Sequence, residues 1–88
     1  MDMRIEKAAN AIADRHRLSI LMQVACKGKG SCADLEQLTG LSQPAVSHHI
    51  KILVDAEVLT YDKCGRTVQL TVNREMMKYL SRFFHELS

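Results

Sequence analysis

The sequence predicts a mainly α-helical domain that carries one small β-hairpin. Apolar residues recur every three or four positions through most of the chain, which is the spacing of a helix that packs on one face. The spacing changes to two over residues 67–72, where aliphatic and polar residues alternate as in a half-buried strand. Gly65 can provide the turn that pairs this strand with residues 60–62. The predicted order is therefore four helices, two strands and a final helix.

Length and composition indicate one domain spanning residues 1–88. A chain of 88 residues buries roughly 60–65% of its unfolded surface, so its core is thin and a second subunit would add stability. No apolar run approaches the ~20 residues that span a bilayer, and the charged start MDMRIEK lacks the apolar segment of a secretory signal. Three irregularly spaced cysteines favour a reducing compartment. We therefore expect a cytoplasmic protein without a membrane partner, and the net charge of +2 permits a nucleic-acid partner without requiring one.

Two helices are predicted at the start of the chain. The first covers residues 3–13 and has a narrow apolar stripe that suits close contact with another helix, formed by Ile5, Ala8, Ala9 and Ile12. Asp14 is the expected N-cap of the second helix, which covers residues 15–27 and ends at a glycine-rich segment. Its inward face is expected to consist of Leu18, Leu21, Met22 and Ala25, widened by Ile20 and Val24.

A short third helix and a fourth helix follow, separated by a tight turn. Ser31 begins the third helix, whose Leu35 and Leu38 are expected to point inward, and a glycine ends it. Ser42 is expected to cap the fourth helix, and Pro44 lies in its first turn, where a missing N–H costs nothing. A short helix, a glycine-containing turn and a second helix predict a helix-turn-helix.

The two faces of the fourth helix differ in chemistry. Its apolar positions lie on one side at helical spacing and are Val46, Ile50, Leu53 and Val54. The opposite side carries short or flexible groups and one cation, in the order Gln43, Ala45, Ser47, His48 and Lys51. No carboxylate occurs in this helix before Asp55, whereas a face that meets only water would more often interleave Glu with Lys. The pattern favours a helix that reads the major groove of DNA, with an ordinary surface helix as the alternative.

The predicted hairpin and the last helix complete the domain. Lys63 and Arg66 lie at the hairpin tip, so the hairpin is expected to act as a wing beside the helix-turn-helix. Asn73 is expected to cap the last helix, residues 74–87. Its apolar stripe is broad for so short a chain, which favours a homodimer interface with the first helix alongside over an ordinary core. The expected interface residues are Ile5, Ala9, Ile12, Met77, Leu80, Phe83 and Phe84.

The sequence gives no indication of catalysis or of a cofactor. It contains no glycine-rich phosphate loop, no Ser-His-Asp arrangement and no HExxH motif, and its carboxylates are few and scattered. We therefore do not expect an enzyme.

Three segments and the hairpin turn resemble the ArsR/SmtB winged-helix repressors. The segments are ADRHRLSIL at residues 13–21, DLEQLTGL at 34–41 and SQPAVSHHIKIL at 42–53, and the turn contains Gly65 and Arg66. The resemblance covers nearly the whole chain in the same order. It implies a homodimer that binds an inverted-repeat operator in double-stranded DNA and releases it when an inducer binds or a thiol reacts. One departure is Arg15, which stands where the family often has a proline.

This resemblance implies a set of DNA-binding residues, namely Ser42, Gln43, Pro44, Ala45, Ser47, His48, His49, Lys51, Lys63 and Arg66. Gln43 can pair with an adenine edge and Ala45 can pack on a thymine methyl group, whereas the two serine hydroxyls and Lys51 suit phosphates. His49 lies beside the apolar face, so packing explains it as well as a DNA contact does. The wing cations would reach the backbone or the minor groove, and two reading helices of a dimer would lie about 34 Å apart.

The resemblance does not fix the inducer. Family members that bind arsenic, cadmium or lead typically begin the third helix with C-x-C-D-L, whereas residues 31–35 here read SCADL and lack both ligand thiols. The last helix offers only Glu75, His85 and Glu86, too few for the zinc or nickel site of other members. No metal site is therefore expected.

Thiol chemistry is the remaining candidate. Cys26 ends the second helix and Cys32 begins the third, so their α-carbons could fall within the roughly 4.4–6.8 Å that a disulfide needs. A position in the first turn of a helix, with Lys27 and Lys29 nearby, favours a reactive thiolate at Cys32. We expect release by thiol oxidation or modification, with inert cysteines and a metalloid bridged by Cys26 and Cys32 as alternatives. Cys64 in the wing could report oxidation at the DNA surface.

A winged fold can also serve as a protein-interaction module without specific DNA binding. A protein-docking helix would more often display aromatic residues or leucines where the fourth helix displays polar groups. This alternative predicts loss of a protein partner, with unchanged DNA affinity, when Gln43, Lys51 or Arg66 is replaced by alanine.

Overall fold

The computed structural model describes residues 2–88, with the backbone alone at Cys64. Its elements follow the predicted order of four helices, a hairpin and a last helix. They are α1 (Met3–Ile12), α2 (Arg15–Lys27), α3 (Cys32–Thr39), α4 (Gln43–Asp55), β1 (Leu59–Cys64), β2 (Thr67–Val72) and α5 (Arg74–Leu87). The mainly α fold with a small hairpin is therefore confirmed. Within residues 2–88, none of the helices is both long and apolar enough to cross a membrane.

Side-chain caps fix the starts of most helices. The Asp14 carboxylate accepts hydrogen bonds from the backbone N–H groups of His16 and Arg17, both at 3.0 Å, and Asn73 caps α5 in the same way. The predicted cap at Ser42 is wrong, because this residue occupies the N-cap position of α4 without a side-chain hydrogen bond. Pro44, at the second position of α4, has no N–H, which removes one of the two donors that a capping serine can bond. The third N–H, that of Ala45, is not bonded by the Ser42 hydroxyl either.

The hairpin is joined to the helical part by backbone pairing. β1 and β2 are antiparallel, with Leu59 opposite Val72, and Gly65 takes a positive φ of 64° in the turn. Gly30, in the loop between α2 and α3, forms a short bridge with Leu70 through two hydrogen bonds of 2.9 and 3.0 Å. A Cβ atom on Gly30 would lie 2.9 Å from a methyl carbon of Val24, so the close approach requires glycine. The loop therefore adds a third pairing partner to the sheet.

The core lies between the helices and the inner face of the hairpin. It includes the fully buried Ile20, Val24, Leu35, Val46 and Leu53. The predicted inward face of α2 is confirmed at Ile20 and Val24 and, in part, at Leu21, but is wrong at Leu18, Met22 and Ala25, which are exposed. Leu38 of α3 is likewise exposed. Helix α2 has two overlapping apolar stripes, and the one that contains Ile20 and Val24 packs against the core.

Polar contacts hold α1 against the last helix and against the turn after α4. The Arg4 guanidinium lies 4.9 Å from the centre of the Tyr79 ring, and the Tyr79 hydroxyl donates to the Asp2 carboxylate. Arg4 also forms an ion pair of 3.6 Å with Glu57, which follows α4 and has a positive φ of 63°. The start of α1 therefore contacts α5 at Tyr79.

The apolar stripe of α5 is only partly covered within one protomer. Met76 and Leu80 are buried, Phe83 is half-buried, and Phe84 and Leu87 are 53% and 69% exposed. Two of the predicted interface residues, Ile5 and Leu80, must be corrected, because their side chains are already buried in the core of the protomer. The remaining predicted residues, Ala9, Ile12, Met77, Phe83 and Phe84, keep at least part of their surface accessible.

Candidate nucleic-acid interface

The turn between α3 and α4 is built from local hydrogen bonds. Gly40 has a φ of 71° and its N–H donates to the carbonyl of Glu36 at 2.9 Å, which ends α3. The Thr39 hydroxyl donates to the carbonyl of Leu35 and accepts from the N–H of Leu41. Leu35 itself is fully buried. These contacts set α4 at a defined angle to α3, which is the geometry of a helix-turn-helix.

Helix α4 presents its polar face to solvent. Val46, Ile50 and Leu53 are buried. The predicted DNA-facing side chains Ser42, Gln43, Pro44, Ser47, His48 and Lys51 are exposed, and Ala45 and His49 are half-buried. The structure therefore brings the α4 part of the predicted set together on one continuous surface.

Lys51 is engaged in an ion pair at the end of this surface. Its ammonium group lies 3.3 Å from the Asp55 carboxylate, one helical turn away, and both side chains are more than half exposed. Exposed pairs with this spacing stabilise a helix by about 0.3–0.5 kcal/mol. Such a contact is weak enough for Lys51 to exchange Asp55 for another anion. This pair was not predicted, although the four-residue spacing of Lys51 and Asp55 on one helix is a sequence signal for it.

Arg17 connects three helices behind the polar face. Its Nε donates to the carbonyl of Ala11, at the end of α1, at 2.6 Å, and its Nη1 lies 3.4 Å from Nδ1 of His49 in α4. A guanidinium group can only donate, so Nδ1 of His49 must be the acceptor and carry no proton. This role of Arg17 was not predicted from the sequence. Its only sequence signal is its place three residues after the Asp14 cap.

Three histidines meet at this junction. The ring centres of His16 and His48 lie 5.7 and 6.0 Å from that of His49. Partial burial lowers the pKa of His49, Asp14 opposes this effect, and the positive charge of Arg17 lowers the pKa further. His49 is therefore neutral at neutral pH, in agreement with its role as an acceptor. Among the described side chains, no group of three or more His, Cys, Asp or Glu could hold a metal ion.

The same junction perturbs Asp14. The hydrogen bond from the backbone N–H of Arg17 and the nearby guanidinium charge lower the pKa of this carboxyl group, although desolvation opposes them. Asp14 is therefore a carboxylate in the folded protein at all but strongly acidic pH. Its negative charge both caps α2 and partly balances the positive charge of Arg17.

The predicted wing residues and thiols occupy separate surfaces. Lys63 and Arg66 are exposed on either side of the hairpin turn. Cys26 is an exposed free thiol, about 200° around α2 from the buried Val24. Cys32 is half-buried and packs against the core. The expectation for the Cys64 thiol lies outside the described side chains.

The fold and the exposed face of α4 define a winged helix-turn-helix domain. Residues 14–61, more than half of the chain, match the family described as "Bacterial regulatory protein, arsR family". The chain belongs to this family of transcription regulators. The arsenical resistance operon repressor of Staphylococcus xylosus is 37% identical over 71 residues, which are 81% of this chain and 67% of that repressor.

Two solved structures have the same fold. An ArsR-like transcriptional regulator from Rhodococcus sp. RHA1 aligns with a TM-score of 0.85 at 18% identity, covering 97% of this chain and 79% of that one. The homodimeric winged helix-turn-helix DNA-binding domain of Mb0332 from Mycobacterium bovis aligns with a TM-score of 0.75 at 19% identity, covering 96% of this chain and 74% of that fragment. At these identities the likeness concerns the fold.

Proposed function

We propose that this protein is a cytoplasmic, dimeric transcriptional repressor that reads an inverted-repeat operator with α4. The observation that carries the proposal is the exposed, polar face of α4, which contains no carboxylate before Asp55 and is held outward by the buried Val46, Ile50 and Leu53. Such a face can approach base edges and phosphates without charge repulsion. The S. xylosus relative, described as an operon repressor, supports the same function.

Each exposed residue of α4 has a role that fits its chemistry. Gln43 offers the donor and acceptor pair that matches adenine in the major groove, and Ala45 can pack on a thymine methyl group. The hydroxyl groups of Ser42 and Ser47 fix the register on phosphates, as does Lys51 after it exchanges Asp55 for a phosphate. Pro44 and His48 complete the contact surface, whereas His49 supports α4 from behind through Arg17.

The wing adds contacts that do not depend on sequence. Lys63 and Arg66 are exposed at the hairpin tip, next to the turn at Gly65. Two cations at this position suit the phosphate backbone or a narrow minor groove at the edge of each half-site. The hydrogen bonds between Gly30 and Leu70 hold the hairpin to the helix-turn-helix, so the wing and α4 would meet the DNA as one unit.

The dimer would form through the exposed apolar side chains of α1 and α5. Phe83 and Phe84 lie edge to face with ring centres 5.4 Å apart, and Phe84, Leu87 and Met3 are largely exposed in one protomer. A second copy that covers this surface would relieve the cost of exposing it. The homodimeric M. bovis domain with the same fold supports this arrangement. A two-fold dimer would present two α4 helices to successive major grooves, about 34 Å apart.

Release from DNA would follow a chemical change at the cysteines. Cys26 is exposed and open to oxidants, whereas Cys32 is half-buried against the core. Cys26 near the end of α2 and Cys32 at the start of α3 flank the same loop, so a bond between them would act on the segment that precedes the helix-turn-helix. A metalloid bridged by Cys26 and Cys32 is the second candidate. The likeness to an arsenical resistance operon repressor favours it, whereas the SCADL sequence at residues 31–35 disfavours it.

A mobility-shift experiment on the DNA upstream of its own gene tests the proposal. At a fixed salt concentration, Lys51→Ala and Arg66→Ala should weaken binding to any duplex, and Gln43→Ala should reduce the preference for the operator over scrambled DNA. All three variants should leave the dimer intact. Lys78→Ala and Arg82→Ala, which remove exposed cations from α5, are matched controls that should bind normally. Absence of specific binding by the wild-type protein under reducing conditions, with or without added metalloid, would contradict the repressor function and favour a protein-interaction module.

The same assay tests which chemical signal releases the protein from DNA. Mild oxidant should release the reduced wild-type protein from DNA, and Cys26→Ser and Cys32→Ser should show which thiol is needed. Release by arsenite without oxidant, lost in both variants, would instead support the metalloid bridge. Binding that neither treatment changes would rule out both thiol mechanisms while leaving the repressor function in place.

A further inference from the structure

A groove of about 390 Å³ lies between α4 and the hairpin. Ile50 and Val54 of α4 and Val68 of β2 line it with aliphatic side chains, and Tyr61 of β1 contributes an aromatic ring. Ile50 is almost fully buried, Val54 and Val68 are half-buried, and Tyr61 is 51% exposed. The groove therefore combines a fixed apolar base with an accessible ring.

The polar groups of the groove stand at its rim. Lys51 and Asp55, which form the exposed ion pair on α4, both line it. Because this pair is weak and open to solvent, Lys51 can bind another anion at little cost. Pockets that bind small molecules usually have volumes of 300–1,000 Å³, mostly apolar walls and a few polar groups, and this groove has each of these properties.

We propose that the groove binds a monocyclic aromatic carboxylate. The ring would pack between Tyr61 and the aliphatic side chains of Val54 and Val68, and the carboxylate would replace Asp55 as the partner of Lys51. An anion without a ring would leave Tyr61 uncovered, and a ring without an anionic group would leave the ion pair of Lys51 and Asp55 unchanged. The ring thus makes the apolar contacts and the carboxylate contacts Lys51, while the exposed Asp55 side chain turns to solvent.

The position of the groove gives the ligand a regulatory effect, which rests on the proposed repressor function. Lys51 is the residue assigned to a DNA phosphate, and Ser47, also assigned to a phosphate, lines the same groove. One ammonium group cannot serve a bound carboxylate and a phosphate equally well, so ligand and DNA would compete. The ligand would act as an inducer that needs no thiol chemistry.

Binding is measured first without DNA, by titrating sodium benzoate into the ¹⁵N-labelled protein and following its amide resonances. We expect saturable shifts at Ile50, Val54, Tyr61 and Val68 with a dissociation constant of roughly 1 mM, a typical affinity for so small a ligand. Sodium acetate at equal ionic strength and benzyl alcohol should each bind at least about tenfold more weakly, because each lacks one half of the recognition. Equal shifts with acetate, or no saturable shifts with benzoate, would overturn the proposal.

Two variants locate the site. Val54→Phe should place a ring where the ligand ring would lie and abolish the benzoate shifts. Leu38→Phe, which adds a ring to an exposed position on α3 outside the groove, should leave these shifts unchanged. Tyr61→Ala removes an exposed ring without touching the core, so it tests the site even if Val54→Phe fails to fold; it should weaken benzoate several-fold. Unchanged affinity in Tyr61→Ala would contradict this site.

The second stage measures operator affinity with and without benzoate. Saturating benzoate should weaken DNA binding of the wild type at least about tenfold, and at the same concentration it should weaken that of Tyr61→Ala several-fold less. Benzoate binding at the groove without any DNA binding by the protein would refute the repressor function and keep the ligand site. DNA binding that bound benzoate does not change would overturn the proposed competition.

Discussion

Helices α4 and α5 are both amphipathic, yet they leave opposite surfaces uncovered. In α4 the apolar residues Val46, Ile50 and Leu53 are buried within the protomer, and the exposed face is polar. In α5 the apolar stripe runs past the protomer core, so that Phe84 and Leu87 remain exposed. The difference indicates that α4 is complete as a structural element and displays groups for a polar partner, whereas α5 needs an apolar partner, which a second copy would supply.

The largest expected effect is on protein stability, and it distinguishes the buried apolar face of α4 from the exposed apolar stripe of α5. Leu53→Ala, at a fully buried position of α4, should lower the free energy of unfolding by about 2–5 kcal/mol, because it removes buried methyl groups and leaves a cavity. Leu87→Ala, at an exposed position of α5, should change the monomer little. Urea unfolding at several protein concentrations measures both. Equal losses of unfolding free energy in Leu53→Ala and Leu87→Ala at low protein concentration would contradict the difference between the two faces.

A charge placed on the exposed stripe of α5 tests its role in dimerisation. Phe84→Glu should raise the dimer dissociation constant at least about 30-fold, since a buried carboxylate would lack a partner in the interface. Sedimentation equilibrium gives this constant directly. Leu38→Glu, at another exposed leucine, is the matched control and should leave the dimer unchanged. A Phe84→Glu protein that remains as dimeric as the control would place the interface elsewhere.

The polar face of α4 should carry sequence preference without carrying stability. Gln43→Ala should weaken binding to the operator by about 1–3 kcal/mol relative to non-specific DNA, because it removes a bidentate contact to one base. Its urea midpoint should match that of the wild type, since Gln43 is exposed. Binding curves on operator and scrambled duplexes at one salt concentration measure the effect. An equal loss on both duplexes would mean that Gln43 contacts phosphate rather than a base.

The smallest expected effect concerns pH and the edge of α4 that faces α2. Burial and Arg17 lower the pKa of His49 in the folded protein, partly offset by Asp14, with His16 and His48 adding positive charge when protonated. A base whose pKa is lower in the folded than in the unfolded state stabilises the fold above its unfolded pKa of about 6.5, and this contribution is lost as the pH falls. The free energy of unfolding should therefore decrease from pH 7.5 to pH 5.5.

Histidine variants test whether His49 causes this decrease in the free energy of unfolding. His49→Gln cannot titrate and retains a side-chain acceptor for Arg17, so it should show a smaller loss of stability over the same pH range. His85→Gln removes an exposed histidine of α5 and should keep the loss of the wild type. The pH range lies above that in which Asp14 titrates. Identical pH profiles for the His49 variant and the wild type would show that the Arg17 contact does not govern the titration.

The sequence predicted those features whose causes are local. The bounds of α2 and α5 were predicted because Asp14 and Asn73 are strong caps and glycines follow α2, and β2 was predicted because its alternation is regular. The side-chain bond expected from Ser42 is absent: Pro44 removes one of the two donors that a capping serine can bond, and no sequence signal shows that the other, the N–H of Ala45, stays unbonded by it. Helix ends are thus decided by residues close in sequence, and the one error at a helix start also concerns such residues.

Features that depend on packing were not predictable from periodicity. Helix α2 has two overlapping apolar stripes, and only the position of its neighbours decides that Val24 is buried and Met22 exposed. The Arg17 contact to His49 joins residues 32 positions apart, and no spacing rule connects them. For the polar face of α4, by contrast, the orientation agreed with the sequence, because a single apolar stripe fixes the rotation of that helix.

The bridge between Gly30 and Leu70 restricts how the chain length can vary in this protein. Gly30 pairs with Leu70 as an isolated bridge, so a residue inserted on either side of it need not shift β2. The position opposite Leu70 must remain a glycine, because a side chain there would meet Val24. Natural or engineered changes in the length of this loop should therefore be tolerated where they leave Gly30 opposite Leu70.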